Sequence, residues 1–462
     1  MAITRENFAL ESRNGSLQLQ AWDDRRNLVR RVVGIQSEQR GKLTLRIERF
    51  GKRSGTLALV DLSRPGNQNL TLRGTRQDFR EDFRRFLRRQ FADSRIVEIS
   101  TEANLEESLS PIYPRALLTR GSIAQAAIGA PAGGAHADGI LSFGLIWLDY
   151  LRRRETALML QGLVLYLPAG QEKATCLRLR YLDPEMARYS LFVYGDDGAE
   201  FPVDLRDYGN LDTRLEPCRR RLPSGLDETI ARCRKLPAVE VIDRHDGEIS
   251  LRVRGMEFAR TQGGRLLAGL ETKRVTHASN VTEVENLARE LARLRSPDAA
   301  DRLNPMYLRN RELWLESQVR AQIEEIDAGL RPVPIYGQVP AFAATDRGVI
   351  DLLGVDGNGR LAVIELKASE DLHLPFQALD YWLRVTWHLD RGEFTRNGYF
   401  PGLELLSDPP RMLLVSPALE VHPTNERILR YFSPAIYIEH IGVGIEWQKR
   451  LKVMFRVKRQ CQ

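Results

Sequence analysis

Apolar and polar positions along this chain follow two periods, and the switches between them mark out its elements. Residues 43–47 and 56–60 alternate as short strands do, with a Gly-Lys-Arg-Ser-Gly turn between them. Phe79, Phe83, Phe86 and Phe91 return at roughly helical spacing and predict a helix over 79–91, with a strand over 96–99 behind it. The small-residue stretch 124–139, which holds Gly-Ala-Pro-Ala-Gly-Gly-Ala, has the composition of a loop. A helix is then predicted over 146–154, with strands over 158–167, 176–182 and 190–194. From Glu248 two strand-like runs lead to a helix over 281–294. Its apolar stripe is Val284, Leu287, Leu291 and Leu294, and Ser279 or Asn280 is its cap. This reading divides an α/β multidomain chain into three: an N-terminal α/β domain over 1–105, a middle α/β domain over 106–238, and a C-terminal domain over 239–462. No role is assigned to the first two, and the middle one carries no catalytic signature.

Length agrees with that division, since a chain of 462 residues exceeds the roughly 250 at which a single core stops growing. The longest apolar runs, such as 139–150, fall short of the roughly 20 residues a spanning helix needs, so no membrane is expected. The N-terminus shows no basic segment followed by an apolar one, and a cytoplasmic protein is the expectation. Cys176, Cys218, Cys233 and Cys461 form no C-x-x-C pair, which argues against a zinc site or an iron–sulfur cluster. No G-x-x-x-x-G-K-[ST] occurs, which argues against an ATP-driven motor. Arginine runs at Arg84–Arg85, Arg88–Arg89, Arg152–Arg154 and Arg219–Arg221 suit phosphate contacts, but 61 acidic residues nearly balance 68 basic ones. Charge alone therefore does not single out nucleic acid.

Chemistry concentrates between residues 309 and 388, in the order helix, strand, hairpin, helix. A helix over 310–328 has Leu315, Val319, Ile323 and Ile326 as its stripe, and Glu316 lies on or beside it. A carboxylate there is costly unless paired or bound to metal. It either serves a site or pairs with Arg320 at i,i+4. Glu312, one turn earlier, is a second candidate. Next, Gly348-Val349-Ile350-Asp351-Leu352-Leu353-Gly354-Val355 is a strand with one acidic residue, and Asp356-Gly357-Asn358-Gly359 is a hairpin turn. On the return strand Val363, Glu365 and Lys367 share one face, and Ala362, Ile364 and Leu366 share the other. Asp351 on the partner strand completes a set of two carboxylates and an ammonium. That set suits phosphodiester hydrolysis: carboxylates hold Mg²⁺, the metal activates water, and a lysine orients the water or offsets charge on the phosphate. A helix over 376–389 places Gln377, Tyr381, Arg384 and His388 on one face, either for substrate or simply in solvent. Phe376, Leu379 and Leu383 form the face expected to pack on the sheet.

The succession helix Glu, Gly-x-x-Asp351, Glu365-x-Lys367 and Gln377-x-x-x-Tyr381 resembles the PD-(D/E)xK nuclease superfamily, and its last element resembles the RecB-type branch. The resemblance spans roughly 309–436. Ile350 stands where the superfamily's name implies Pro, and no cysteines match those that hold an iron–sulfur cluster in some RecB-type nucleases. It implies a restriction-endonuclease-like core with a mixed central sheet flanked by helices. It implies catalytic roles for Asp351, Glu365, Lys367 and Glu316, with Asp351, Glu365 and Glu316 as metal ligands. It implies Mg²⁺ as cofactor, with Mn²⁺ able to substitute, and substrate positioning by Gln377 and Tyr381. The expected partner is nucleic acid, DNA first, and duplex cutting would favour a homodimer. A nuclease fold that binds nucleic acid or mediates assembly without cutting is the alternative. Strands over 412–416 and 436–442 with a helix over 422–432 continue the core, and 444–458 reads as a basic hairpin or a sheet edge guarded by lysines.

Overall fold

The computed structural model describes residues 8–459 apart from 14–15, 23–26, 40–41, 50–52, 61–67, 133–135, 196–197, 207–210, 212, 220–224, 277–280 and 344–345. The chain forms two compact units, each assembled from separate segments. One comprises Met1–Asn210, Glu370–Phe376 and Val421–Ala435; the other comprises Leu211–Ser369, Gln377–Glu420 and Ile436–Gln462. Both are α/β.

In the first unit, β1 (Phe8–Arg13), β2 (Ser16–Trp22), β3 (Asn27–Gln39), β4 (Lys42–Arg49) and β5 (Arg53–Val60) form an antiparallel meander. Helix α1 (Gln68–Gln90) follows, then a six-stranded sheet of β6 (Arg95–Ser100), β7 (Arg115–Arg120), β8 (Ile123–Gly129), β9 (Met159–Pro168), β10 (Arg188–Tyr194) and β11 (Glu200–Pro202). Strands β8, β9 and β10 are parallel, and α2 (His136–Arg154) and α3 (Lys173–Leu179) make the crossovers. The sheet passes through residue 105, because β6 pairs with β7. The phenylalanine stripe of α1 behaves as its spacing predicts: Phe83 and Phe86 are buried against Ala127, Val164 and Tyr166.

Two sequence expectations in this unit give way. Much of the small-residue stretch 124–139 is not loop: Ile123–Gly129 is a strand buried along most of its length, and α2 begins at His136. Small residues there allow close packing: a Cβ at Gly129 of β8 would lie 3.1 Å from Phe83 of α1. The expected strand over 176–182 is instead α3 and the turn after it. So short a run satisfies both periods, and the parallel pairing of β9 with β10 demands a crossover between them.

In the second unit, β12 (Thr213–Leu215) is followed by α4 (Asp227–Arg234) and a five-stranded antiparallel meander. Its strands are β13 (Val239–Asp243), β14 (Ile249–Val253), β15 (Met256–Gln262), β16 (Arg265–Ala268) and β17 (Arg274–Thr276). Helix α5 (Val281–Leu294) packs on this meander through Val284, Ala288 and Leu291; its expected caps, Ser279 and Asn280, lie outside the described residues. Next come α6 (Pro305–Leu308), α7 (Arg311–Ala321) and α8 (Ile323–Ile326), so the helix expected over 310–328 is interrupted at Gln322.

The remaining elements are β18 (Tyr336–Ala343), β19 (Asp346–Val355), β20 (Leu361–Leu366), α9 (Leu374–Asp390), α10 (Glu393–Arg396), β21 (Arg411–Pro417), α11 (Asn425–Leu429), β22 (Ile438–Val443) and β23 (Val453–Arg459). The seven-stranded sheet runs β12-β18-β19-β20-β21-β22-β23. It is mixed: β20, β21 and β22 are parallel, and the other pairs are antiparallel. One face packs against Trp314, Leu315 and Val319 of α7 and Ile323 and Ile326 of α8. The other packs against Tyr381, Val385 and Leu389 of α9 and Phe394 of α10. Among the described residues, no helix is long and apolar enough to cross a membrane.

Candidate active site

The hairpin that carries the motif is set by its turn. Asp356 Oδ1 accepts the N–H groups of Asn358 and Arg360 at 2.9 and 3.0 Å, and Gly359 takes the left-handed φ of 93° that the turn requires. The Asp356 carboxylate is thus committed to its own turn. From there the β19–β20 ladder runs from Val355↔Leu361 to Leu352↔Ile364. The next pair in this register is Asp351 and Glu365. There the Asp351 side chain enters the hydrogen bonding, and its Oδ2 accepts the Leu366 N–H at 2.9 Å. Strand β20 is held on its other side by β21, and the Lys367 N–H donates to the Val415 carbonyl at 3.0 Å.

Alternation sorts the side chains as the sequence predicts. Ala362, Ile364 and Leu366 enter the α7 core. Val363 enters the α9 core, so Glu365 and Lys367 emerge beyond it on that side. On α9 itself the sheet-facing stripe is Tyr381, Val385 and Leu389, in place of the expected Phe376, Leu379 and Leu383, although all three of those are buried.

The resulting cluster is electrostatically crowded. Glu365 is 1% exposed, and Lys367 Nζ lies 3.9 Å from its Oε1 and 3.8 Å from Glu312 Oε2. Burial pushes the Asp351 carboxyl up to about 6, with Lys367, the Leu366 N–H and Gln338 pulling it down and Glu312 pushing it further up. Tyr381 belongs to the same group. Burial first, and the Glu365 charge second, raise its hydroxyl to about 12. Gln377 Nε2 donates to that hydroxyl at 3.4 Å. Asp351, Glu365, Lys367, Gln377 and Tyr381 are therefore brought together.

Arg384 and His388, which follow on the same helix, are buried rather than part of an exposed polar face. The Arg384 guanidinium lies over the Tyr381 ring, 5.7 Å from its centre. His388 bridges Thr213 Oγ1 at 3.0 Å and Glu393 Oε2 at 2.5 Å, and burial lowers its pKa. The helix is enclosed by α10 and β12, which the sequence did not place beside it.

Both helix carboxylates lie near the cluster, in different settings. Glu312 faces Lys367 and is partly open to solvent, with its side chain 41% exposed. Glu316 is 1% exposed. It is ion-paired with Arg320 one turn along, lies 3.6 Å from Arg252 Nη1 of β14, and accepts from Gln338 Nε2 at 2.9 Å. The i,i+4 pairing that the sequence allowed for Glu316 thus exists, but inside the protein. Burial, and then the neighbouring Arg252 charge, lower the Arg320 pKa to about 10.

Three participants escaped sequence reasoning: Gln338, Gly337 and Arg252. Gly337 was the available signal, since a glycine inside a strand often marks close approach of another group. A Cβ there would lie 2.7 Å from Glu316 Oε1 and closer still to the Arg320 guanidinium. Arg252 comes from a different sheet and gives no local signal.

Among the described residues, no group of three or more His, Cys, Asp or Glu side chains is gathered closely enough to hold a metal ion. Asp351 and Glu365, as neighbours in one register, still offer the hard oxygen donors that Mg²⁺ takes, and Mg²⁺ usually binds through one or two carboxylates plus water and phosphate oxygens. The burial-raised Asp351 carboxyl fits a place where a cation would compensate charge. Comparison with models of protein families returns no match, and comparison with curated proteins returns none either.

Proposed function

We propose that the second unit is a Mg²⁺-dependent nuclease that hydrolyses phosphodiester bonds, with DNA as the first substrate to test. The observation that carries this reading is that Asp351 and Glu365 lie one register step beyond Leu352↔Ile364, the last pair of the hairpin ladder, with Lys367 two residues further on and the Tyr381 hydroxyl raised by burial and by both carboxylates. That is also the arrangement implied by the resemblance to PD-(D/E)xK nucleases.

In this reading Asp351 and Glu365 hold the cation, and Glu312 or Glu316 supports them from α7. When bound, the cation polarises the phosphoryl oxygen and lowers the pKa of its water. The Asp351 carboxylate is oriented by the Leu366 N–H. Lys367 is held between Glu312 and Glu365, which fixes an ammonium where charge develops on a phosphate. Gln377 and Tyr381 present an amide and a hydroxyl beside the carboxylates and position the substrate backbone.

The test is incubation of the full chain with linear, circular and single-stranded DNA and with RNA, in Mg²⁺, Mn²⁺ or EDTA, beside Glu365→Ala and Lys367→Ala. Metal-dependent cleavage that both variants lose supports the reading. One observation favours a second reading, a nucleic-acid-binding or assembly protein that no longer cuts: the absence, among the described residues, of a cluster of three ligating side chains. Metal-independent DNA binding with no cleavage in any arm would select it.

A further inference from the structure

Gln338 sits in β18 between two register pairs, Gly337↔Leu352 and Val339↔Ile350, which places it opposite Asp351. Its backbone φ is 54°, in the left-handed region that a non-glycine residue in a strand rarely enters. Such a conformation persists only where the surroundings enforce it. The enforcement is visible. The Gln338 amide donates to Glu316 Oε2 at 2.9 Å, and the register sets this residue against Asp351, whose carboxyl it helps keep ionised. Glu316 is itself fixed by Arg320 and Arg252. Gly337 leaves room for that ion cluster, because a side chain at this position would collide with both Glu316 and Arg320. The chain of contacts thus runs from β14, through Arg252 and Glu316, to Gln338 and then to Asp351.

We infer that Gln338 is a positioning residue for the cation site: its amide, clamped by the Glu316–Arg320–Arg252 cluster, holds the Asp351 carboxylate in the orientation that binds the metal. The inference rests on the nuclease reading above. It assigns Glu316 a part in the site without contact between its carboxylate and the cation, because that carboxylate is occupied by two guanidiniums and an amide. Groups that orient metal ligands in this way contribute to affinity, and their loss typically weakens metal binding or activity about ten- to a hundredfold.

The experiment measures Mn²⁺ affinity by calorimetry on the full chain, with melting temperature and cleavage at increasing Mg²⁺ alongside. Gln338→Met keeps the side-chain length and removes the amide. Gln338→Asn suits the left-handed backbone, which asparagine tolerates, but withdraws the amide by one methylene; it serves as the variant least exposed to misfolding. Both should bind Mn²⁺ about tenfold or more weakly, keep a cooperative melt, and recover cleavage at high Mg²⁺. Unchanged Mn²⁺ affinity in a folded Gln338→Asn protein overturns the positioning role while leaving the nuclease reading intact. A loss of cleavage that added Mg²⁺ does not restore, at unchanged Mn²⁺ affinity, also overturns it. A wild-type protein that neither binds Mn²⁺ nor cuts removes both readings together.

Discussion

The Leu366 N–H donates to Asp351 Oδ2 at 2.9 Å, just beyond the last backbone pair of the β19–β20 ladder, Leu352↔Ile364. A side chain acts here where a main-chain carbonyl would otherwise pair. The bond fixes one oxygen of Asp351, and the register sets Asp351 beside Glu365 one step past the end of the ladder. Burial raises the Asp351 carboxyl to about 6 against the pull of Lys367 and the Leu366 N–H, so an ionised carboxylate here is unfavourable for an apo protein. Strain of that kind is common at functional sites and gives the first prediction.

Asp351→Asn should stabilise the metal-free protein near neutral pH while abolishing metal-dependent cleavage. The neutral amide keeps an oxygen acceptor for Leu366 and removes a desolvated charge. A rise in melting temperature equivalent to about 1–2 kcal/mol is expected, the usual exchange of stability for function. Thermal melts in EDTA would check it, and a lower melting temperature than wild type near neutral pH would contradict the account of a crowded anionic site.

The pH dependence has a defined sign. Asp351 is raised from 3.8 to about 6, so the folded protein holds this proton more tightly than the unfolded chain does. Its contribution to stability is fully present below about pH 4 and is lost as pH rises through about 6. In EDTA, wild type should therefore lose stability relative to Asp351→Asn across that window. On the nuclease reading Mg²⁺ binds the ionised carboxylate and should stabilise wild type increasingly over the same range. A Mg²⁺-induced shift in melting temperature that is as large at about pH 4 as at about pH 7 would show that Asp351 is not the group being titrated.

The two carboxylates of α7 should respond oppositely to substitution. Glu312 is 41% exposed and pairs with Lys367, so Glu312→Gln should change stability by less than about 0.5 kcal/mol while reducing cleavage. Glu316→Ala leaves Arg320 and Arg252 buried without their carboxylate and should cost about 3–5 kcal/mol. Urea melts of both proteins, with cleavage rates of the folded fraction, separate the two effects. Equal destabilisation by the two substitutions would contradict the difference in burial.

How much of this was legible in the sequence depends on whether a residue's partners lie on its own element. Alternation along β20 placed Glu365 and Lys367 on one face and Leu366 on the other because both faces of that strand are buried and a slip of one residue would exchange them. The same logic foretold the hairpin, since Asp356-Gly357-Asn358-Gly359 can hardly be anything but a turn. The stripe expected on α9 differs from the one that meets the sheet because the helix is covered on several sides. Tyr381, Val385 and Leu389 face the sheet, while Phe376, Leu379 and Leu383 are buried elsewhere. Periodicity identifies which residues are apolar but not which apolar face meets which neighbour. Arg252 and Gln338 were invisible for a different reason: their roles exist only after β14 and β18 converge on Glu316. The crossover α3 resembles a strand in the sequence because seven residues are too few to distinguish the two periods.

Gly337 offers the last test, because it separates packing from chemistry at one atom. A Cβ added there would lie 2.7 Å from Glu316 Oε1, well inside contact distance, and would press on the Arg320 guanidinium. Neither group can withdraw easily, since Glu316 is 1% exposed and Arg320 is held against it. Gly337→Ala should therefore destabilise the protein by about 1–3 kcal/mol through overpacking. Displacement of Glu316 should also carry Gln338 with it and weaken Mn²⁺ binding, although residue 337 contacts neither Asp351 nor Glu365 through a side chain of its own. The two readouts are the urea midpoint and the calorimetric Mn²⁺ affinity of the same preparation. A loss of stability with unchanged Mn²⁺ affinity would mean that the ion cluster around Glu316 serves the fold alone. A loss of both would tie the packing of β18 on α7 to the geometry of the cation site.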